Sequence, residues 1–183
     1  MRILGIAGSL RRGSHNRRLL RAAGDALPPG VVLVEWEGLA GLPAFDEDLE
    51  NTPPEAVRAF FAVIEGADAL LIATPEYNAS LPGALKNAID WASRPRGEAA
   101  LLNKTVAVAG ASTGQYGALW AQQDLRRVLG IAGARVVGPD LPIARAHDSY
   151  NESEGGPSAL VTERLRAHIA GLASEVTPVS VAA

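Results

Sequence analysis

The chain has 183 residues, 48% of them hydrophobic and 20% charged, with a formal net charge of −3; this is the profile of one soluble globular domain, and its acidic balance speaks against broad adhesion to nucleic acid or membrane. Cysteine is absent, which excludes disulfides, thiolate nucleophiles, iron–sulfur clusters and cysteine zinc sites and agrees with a cytoplasmic address. His15, His147 and His168 lie far apart without ligand spacing, and the acidic "FDEDLE" at 45–50 lacks a calcium-loop glycine, so no metal site is expected.

The opening "MRILGIAGSL" carries an apolar run of only about six residues and leads into arginines, so it does not read as a secretory leader. No stretch approaches the roughly 18 apolar residues of a membrane span. Apolar runs at 2–8, 31–37, 67–75, 104–112 and 134–144 alternate with helical patterns at 15–27, 54–66, 82–93, 117–132 and 158–175. The central runs are almost continuous in apolar and β-branched residues, as strands covered on both faces by helices must be. Pro54 and Pro82 stand where helices begin, and Gly133 follows the fourth. The pattern predicts a doubly wound α/β domain over 1–175, a five-stranded parallel sheet in the flavodoxin-like order 2-1-3-4-5 with helices on both faces. The polar, Gly-rich "DSYNESEGGPS" at 148–158 reads as a surface loop, and 176–183 as a flexible tail.

In that strand order the loops leaving strands 1, 3 and 4 share one crevice outside the carboxyl ends of the strands. The first, "GSLRRGSHN", opens a helix, so its backbone amides and the positive helix end would meet any anion there. Ser9, Ser14 and Asn16 add donors and Arg11 adds fixed charge, which suits a monophosphate. Neither a Walker A lysine nor the dinucleotide glycine spacing is present. A capped helix start with solvent-facing arginines would use the same residues, and Arg17, Arg18 and Arg21 fit that simpler role. The third loop, "TPEYNASLPG", offers prolines, Tyr77 and Asn78, a rigid wall suited to a flat heterocycle or, more plainly, an ordinary turn. The fourth, "GASTGQYG", brings small residues, hydroxyls and amides to the same place. A phosphate at one end and a planar ring at the other describe a mononucleotide-like cofactor.

These residues resemble the NADPH-dependent FMN reductase family. "GSLRRGSHN" matches its GSLR-x-x-S-x-N phosphate loop, and "TPEYNASLPGALKNAIDWASR" follows its TPEYN-x-S-x-PG-x-LKN-x-x-DW-x-SR segment, within a likeness running from residue 3 to about 145. The resemblance implies FMN as cofactor, NADPH or NADH as donor, and small-molecule acceptors such as quinones, flavins, azo dyes or chromate. By position, Ser9, Arg11, Ser14 and Asn16 would hold the FMN phosphate. Pro75, Glu76, Tyr77 and Asn78 would line the ring mostly through their backbone, and Ser112, Thr113 and Gly114 would meet its other edge. The flavin would carry the chemistry, with no side chain named as acid or base and ping-pong kinetics expected. A homodimer or homotetramer is implied as well. The chain departs from some relatives in having Ala118 and Trp120 where they carry Gly and Arg. An aromatic there suits either a flat acceptor or packing at an interface.

Two other functions use the same sequence. "GASTG" at 110–114 has the G-x-S-x-G form of a nucleophile elbow, with Asp140 and His147 downstream of Ser112 as a hydrolase would need. A non-catalytic electron carrier could share the fold, since fold does not fix function.

Overall fold

The computed structural model describes residues 1–151 and 156–176. Strands β1 (Arg2–Ala7), β2 (Val32–Trp36), β3 (Ala69–Thr74) and β4 (Thr105–Ala111) lie in the spatial order β2-β1-β3-β4, and β5 (Arg135–Val136) and β6 (Leu141–Ile143) both pair with the far edge of β4. Every pairing is parallel, with Ile3 opposite Ala69 and Ala69 opposite Thr105. The expected order is therefore found, with one correction: the run at 134–144 is not one strand. Gly138 adopts φ +66 and Pro139 has no N–H to give, so the chain leaves the ladder after Val137 and rejoins it at Leu141.

Helix α1 (His15–Asp25) starts at Ser14, whose hydroxyl accepts from the N–H groups of Asn16 and Arg17. Helices α2 (Glu55–Glu65) and α3 (Gly83–Ala92) begin directly after Pro54 and Pro82, where a missing N–H is harmless. Helix α4 (Leu119–Ile131) starts two residues later than its sequence pattern suggests, because Gly117 and Ala118 are both left-handed, at φ +59 and +61. A short α5 (Ala146–Ser149) precedes α6 (Ala159–Glu175). The stretch expected as a surface loop is partly structured: β7 (Tyr150–Asn151) pairs antiparallel with β8 (Gly156–Pro157), while 152–155 lie outside the described residues. The tail expectation also falls outside them, from 177 onward.

Alternation along the central strands sorts the core into two layers. On one face Ala69, Leu71 and Ala73 of β3 and Ala107, Ala109 and Ala111 of β4 pack against Leu19, Leu20 and Ala23 of α1 and Leu165, Ile169 and Leu172 of α6. The row of alanines on β4 keeps that surface low, so both helices can come close to it. On the other face Leu70, Ile72, Val106 and Val108 meet Phe60 and Ile64 of α2, Leu85 and Ile89 of α3, and Leu125 and Leu129 of α4. Each fully buried Leu or Ile contributes about 1.5–3 kcal/mol relative to exposure, so these two layers supply most of the drive to fold. His168 of α6 is buried, and burial pushes its pKa below the ordinary value, with Arg126 and Arg164 pushing the same way. What matters for function is the edge these layers create, where β1, β3 and β4 end side by side.

Candidate functional site

The loop after β1 is drawn tightly onto its neighbour. Gly8 N–H donates to the Ala73 carbonyl at 2.8 Å, and a Cβ on Gly8 would lie 2.9 Å from a Leu85 methyl and 3.3 Å from Pro75. Only glycine lets the first and third loops approach this closely. Ser9 and Ser14 are buried, and the Ser9 hydroxyl accepts from Arg11 N–H at 3.4 Å. Because the Ser14 hydroxyl only accepts from the helix, its own proton is still available to a ligand. Among the described residues the main-chain N–H groups of Leu10, Arg12 and Gly13 have no hydrogen-bond partner, and Arg11 has no carboxylate partner. The Arg11 guanidinium folds over Gly13, with Nη1 3.5 Å from where a Cβ would stand. Open amides, a helix N-terminus and an uncompensated guanidinium form an anion cradle. Arg17 and Arg21 belong elsewhere: they pair with Glu35, and Arg17 also with Glu37, along the edge of β2.

Asn16, in the first turn of α1, also reaches the fourth strand. Its side-chain amide donates to the Ala111 carbonyl at 3.0 Å and accepts from Ala111 N–H at 2.9 Å, and the residue is 2% exposed. Both ends of the amide are thus used to tie the start of α1 to the end of β4. Asn16 thereby sets the spacing between the first and fourth loops, using one of the two N–H donors of its side-chain amide.

The third loop makes a two-residue turn. Tyr77 and Ser80 exchange both backbone hydrogen bonds, at 3.0 and 3.1 Å, around Asn78 and Ala79 at φ +52 and +60. Two successive left-handed residues are what a type I′ turn requires; Asn tolerates this and Ala resists it, so local strain is held at the crevice. Tyr77 and Asn78 are exposed, and the N–H groups of Asn78 and Ala79 have no partner among the described residues. Pro75 is buried, and its carbonyl accepts from the Thr74 hydroxyl at 2.8 Å. Glu76 points its carboxylate away, accepting from Ala121 N–H in the first turn of α4 at 3.1 Å. One turn further along α4, Asp124 accepts from the Ser80 hydroxyl at 2.5 Å. That hydrogen bond, with a second from Arg127, holds the Asp124 carboxyl below its usual range.

In the fourth loop, Ser112 N–H donates to the Ile143 carbonyl at 3.1 Å and its hydroxyl accepts from Gly114 N–H at 3.2 Å. Thr113 and Gly114 are exposed, and the N–H groups of Thr113 and Gln115 are without partners among the described residues. Gly117 sits 2.7 Å, measured from a would-be Cβ, from the backbone of Ile143 and Ala144, so any side chain there would collide with β6. Beneath the loop lies Gln122, fully buried, donating to the carbonyls of Gly117 and Ala118 and accepting from Leu141 N–H at 2.8 Å.

Sequence reading missed Gln122, Ser80, Asp124 and Tyr116. Gln122 did leave a signal, being polar on the helix face that otherwise carries Ala121, Leu125 and Leu129. The hydrolase geometry is not assembled: Ser112 is bonded to Gly114, Asp140 pairs with Arg126 at 3.5 Å, and His147 with Asp148 at 3.3 Å. Ser112 also lacks the positive φ of a strained elbow. Among the described residues no three His, Asp or Glu side chains are grouped as metal ligands, and no helix is long and apolar enough to cross a membrane. A cleft of about 520 Å³ lies away from the strand ends, between the carboxyl halves of α3 and α4, and is lined by Ile89, Leu102, Val128 and Ile131 with Arg96.

The chemistry of the crevice fits FMN: open amides and a guanidinium suit a phosphate, and unpartnered amides beside an exposed tyrosine suit a ring with a hydrogen-bonding edge. Comparison with known proteins gives the same answer. The sequence profile described as NADPH-dependent FMN reductase matches residues 1–148. An NAD(P)H-dependent FMN reductase of Pseudomonas aeruginosa is 42% identical over 153 residues, covering 82% of each chain. A 2-hydroxy-1,4-benzoquinone reductase of a Burkholderia species is 44% identical over 128 residues, covering 70% of this chain and 69% of its own. Among solved structures, the flavoenzyme NAD(P)H:(acceptor) oxidoreductase FerB of Paracoccus denitrificans superposes with a TM-score of 0.83 at 31% identity, over 94% of this chain and 97% of that one.

Proposed function

This chain belongs to the NADPH-dependent FMN reductase family, and on that premise we propose that the crevice at the carboxyl ends of β1, β3 and β4 is where it holds its flavin. The protein is an NAD(P)H-dependent FMN oxidoreductase that acts on quinones. The observation that carries the placement is the anion cradle at the start of α1, where among the described residues the Leu10, Arg12 and Gly13 amides have no acceptor and Arg11 no carboxylate.

When bound, FMN would supply the redox chemistry, a two-electron transfer between NAD(P)H and a quinone for which the balance is quinone, NAD(P)H and a proton giving hydroquinone and NAD(P)⁺. The chain's residues position and polarise. Ser9, Ser14, Arg11 and the loop amides hold the phosphate, while Asn16 acts through Ala111 to fix the distance to the fourth loop. Pro75, Tyr77 and Asn78 would line one side of the ring, Glu76 orients that loop through Ala121, and the open amide of Thr113, with Gly114 and the Ser112 turn that Gly114 N–H closes, would meet the other edge. N–H dipoles fixed beside the ring would favour negative charge there without reorganisation. Donor and acceptor use one crevice in turn, giving ping-pong kinetics. Flavins, azo dyes and chromate are further acceptors, and the protein works in the cytoplasm.

Assembly as a homodimer or homotetramer is part of this reading. It is supported by Ile131, 78% exposed, beside Val128 and the 41% exposed Leu102 in the cleft between α3 and α4, an apolar strip in a lining that also holds Lys86, Asp90, Arg96 and Arg127 and that a second copy would cover.

The test is anaerobic. FMN-loaded protein given NADPH, and separately NADH, should bleach at the flavin maxima and recover its colour when a benzoquinone is added. Flavin that binds but is not reduced by either nucleotide would instead identify an electron carrier.

A further inference from the structure

Two of the three tryptophans are absorbed by the core. Trp91 is fully buried and Trp36 stacks on Phe60 at 4.2 Å between ring centroids. Trp120 is different: it stands 46% exposed at the start of α4, beside Tyr116, itself 49% exposed, with ring centroids 4.8 Å apart and planes tilted by 42°. Exposed aromatic rings on mobile loops need no special account. These two rest on some of the most constrained backbone in the molecule.

Between them lie Gly117 and Ala118, both left-handed, with Gly117 packed against Ile143 and Ala144. Gln122 grips both of their carbonyls from below, and Leu119 N–H returns to the Tyr116 carbonyl at 3.1 Å. The next residue after Trp120 gives its N–H to Glu76, and Asp124 accepts from the Ser80 hydroxyl one turn on, so the first two turns of α4 are fastened at two points to the loop that carries Tyr77. Large rings packed on each other, carried on a fixed backbone and left open to solvent, are suited to covering by another flat surface.

We propose that Tyr116 and Trp120 form a stacking platform for the aromatic ring of the electron acceptor, making Trp120 a specificity-determining residue of the quinone reaction. The proposal rests on the flavin occupying the crevice beside it. A planar acceptor is favoured over a protein surface because both rings belong to the loop and helix start that leave β4 at the crevice, and because the tie to Glu76 and Ser80 joins them to the third loop rather than to the cleft between α3 and α4. Through those ties Glu76 and Asp124 are positioning residues for the platform.

The experiment compares the FMN-loaded wild type with Trp120→Ala and Trp120→Phe, at saturating NADPH, with a naphthoquinone and with ferricyanide as acceptors. Loss of one stacked ring should raise the naphthoquinone KM about tenfold, so that its kcat/KM relative to that for ferricyanide falls by about the same factor, and Trp120→Phe should recover most of it. An unchanged ratio, or an equal fall for both acceptors, overturns the proposal. A shift of Trp120→Ala to a smaller species in sedimentation with the ratio unchanged also overturns it and assigns the rings to an interface between copies. Failure of the wild type to bind FMN is separately visible in its absorption spectrum, and the platform then falls with the flavin reading.

Discussion

The two ends of the crevice are built by different means. At the cradle, beyond the Gly8 N–H to Ala73 carbonyl bond at its base, the side-chain bonds that shape the loop are local: Arg11 to Ser9, and Asn16 and Arg17 to Ser14, all within three residues of each other. At the ring end the shape comes from partners far apart in the chain, Glu76 with Ala121, Ser80 with Asp124 and Gln122 with Leu141. Asn16 is the exception that connects them, reaching Ala111 across 95 residues. The cradle is a property of a short peptide placed after a strand, whereas the ring end exists only once α4 has docked.

Substitutions should separate these two modes of construction. The largest effect is expected at Gly117, where Ala forces a Cβ to within 2.7 Å of the β6 backbone at φ +59. Gly117→Ala should lose about 3 kcal/mol in urea unfolding, from overpacking and left-handed strain together. Asn16→Ala leaves the Ala111 N–H and carbonyl unpaired in a buried place and should cost about 2 kcal/mol. If that variant is as stable as the wild type, the two ends are independent and the connection drawn here is wrong.

Asp124 tests the ring end by pH. Its carboxyl is held below the ordinary 3.8 by Ser80 and Arg127, so its contribution is complete above that value and disappears as pH falls through the folded-state pKa. Stability measured between pH 5 and pH 3 should fall less steeply in Asp124→Asn than in the wild type. The difference will be small because the side chain is partly exposed. Smallest, and opposite in sign, is Ala79→Gly: relief of an alanine at φ +60 should outweigh the added freedom of the unfolded chain and raise stability by about 0.5 kcal/mol.

The same division explains what could be read from the sequence. Parallel order, the two helical layers and the capped start of α1 were legible because they rest on local signals: continuous apolar runs in β3 and β4, prolines before α2 and α3, and a Ser cap before α1. The break at Gly138–Pro139 was readable in principle but was masked by apolar residues on either side of it. The late start of α4 and the grip of Gln122 were not legible, since an Ala at φ +61 contradicts its own preference and is held there by tertiary partners. The tie from Asn16 to Ala111 was not legible either, because spacing shows that an amide lies near the start of α1 but not that it reaches the end of β4.

The most direct measurement is a pair of titrations of the flavin-free protein, one with FMN and one with riboflavin, which differ only in the phosphate. If Leu10, Arg12, Gly13 and Arg11 hold that group, riboflavin should bind at least about a hundredfold more weakly, as expected for loss of charge-assisted hydrogen bonds, and Arg11→Ala should narrow the gap. Equal affinity for the two flavins would contradict the account, because the segment that opens α1 would then hold no phosphate.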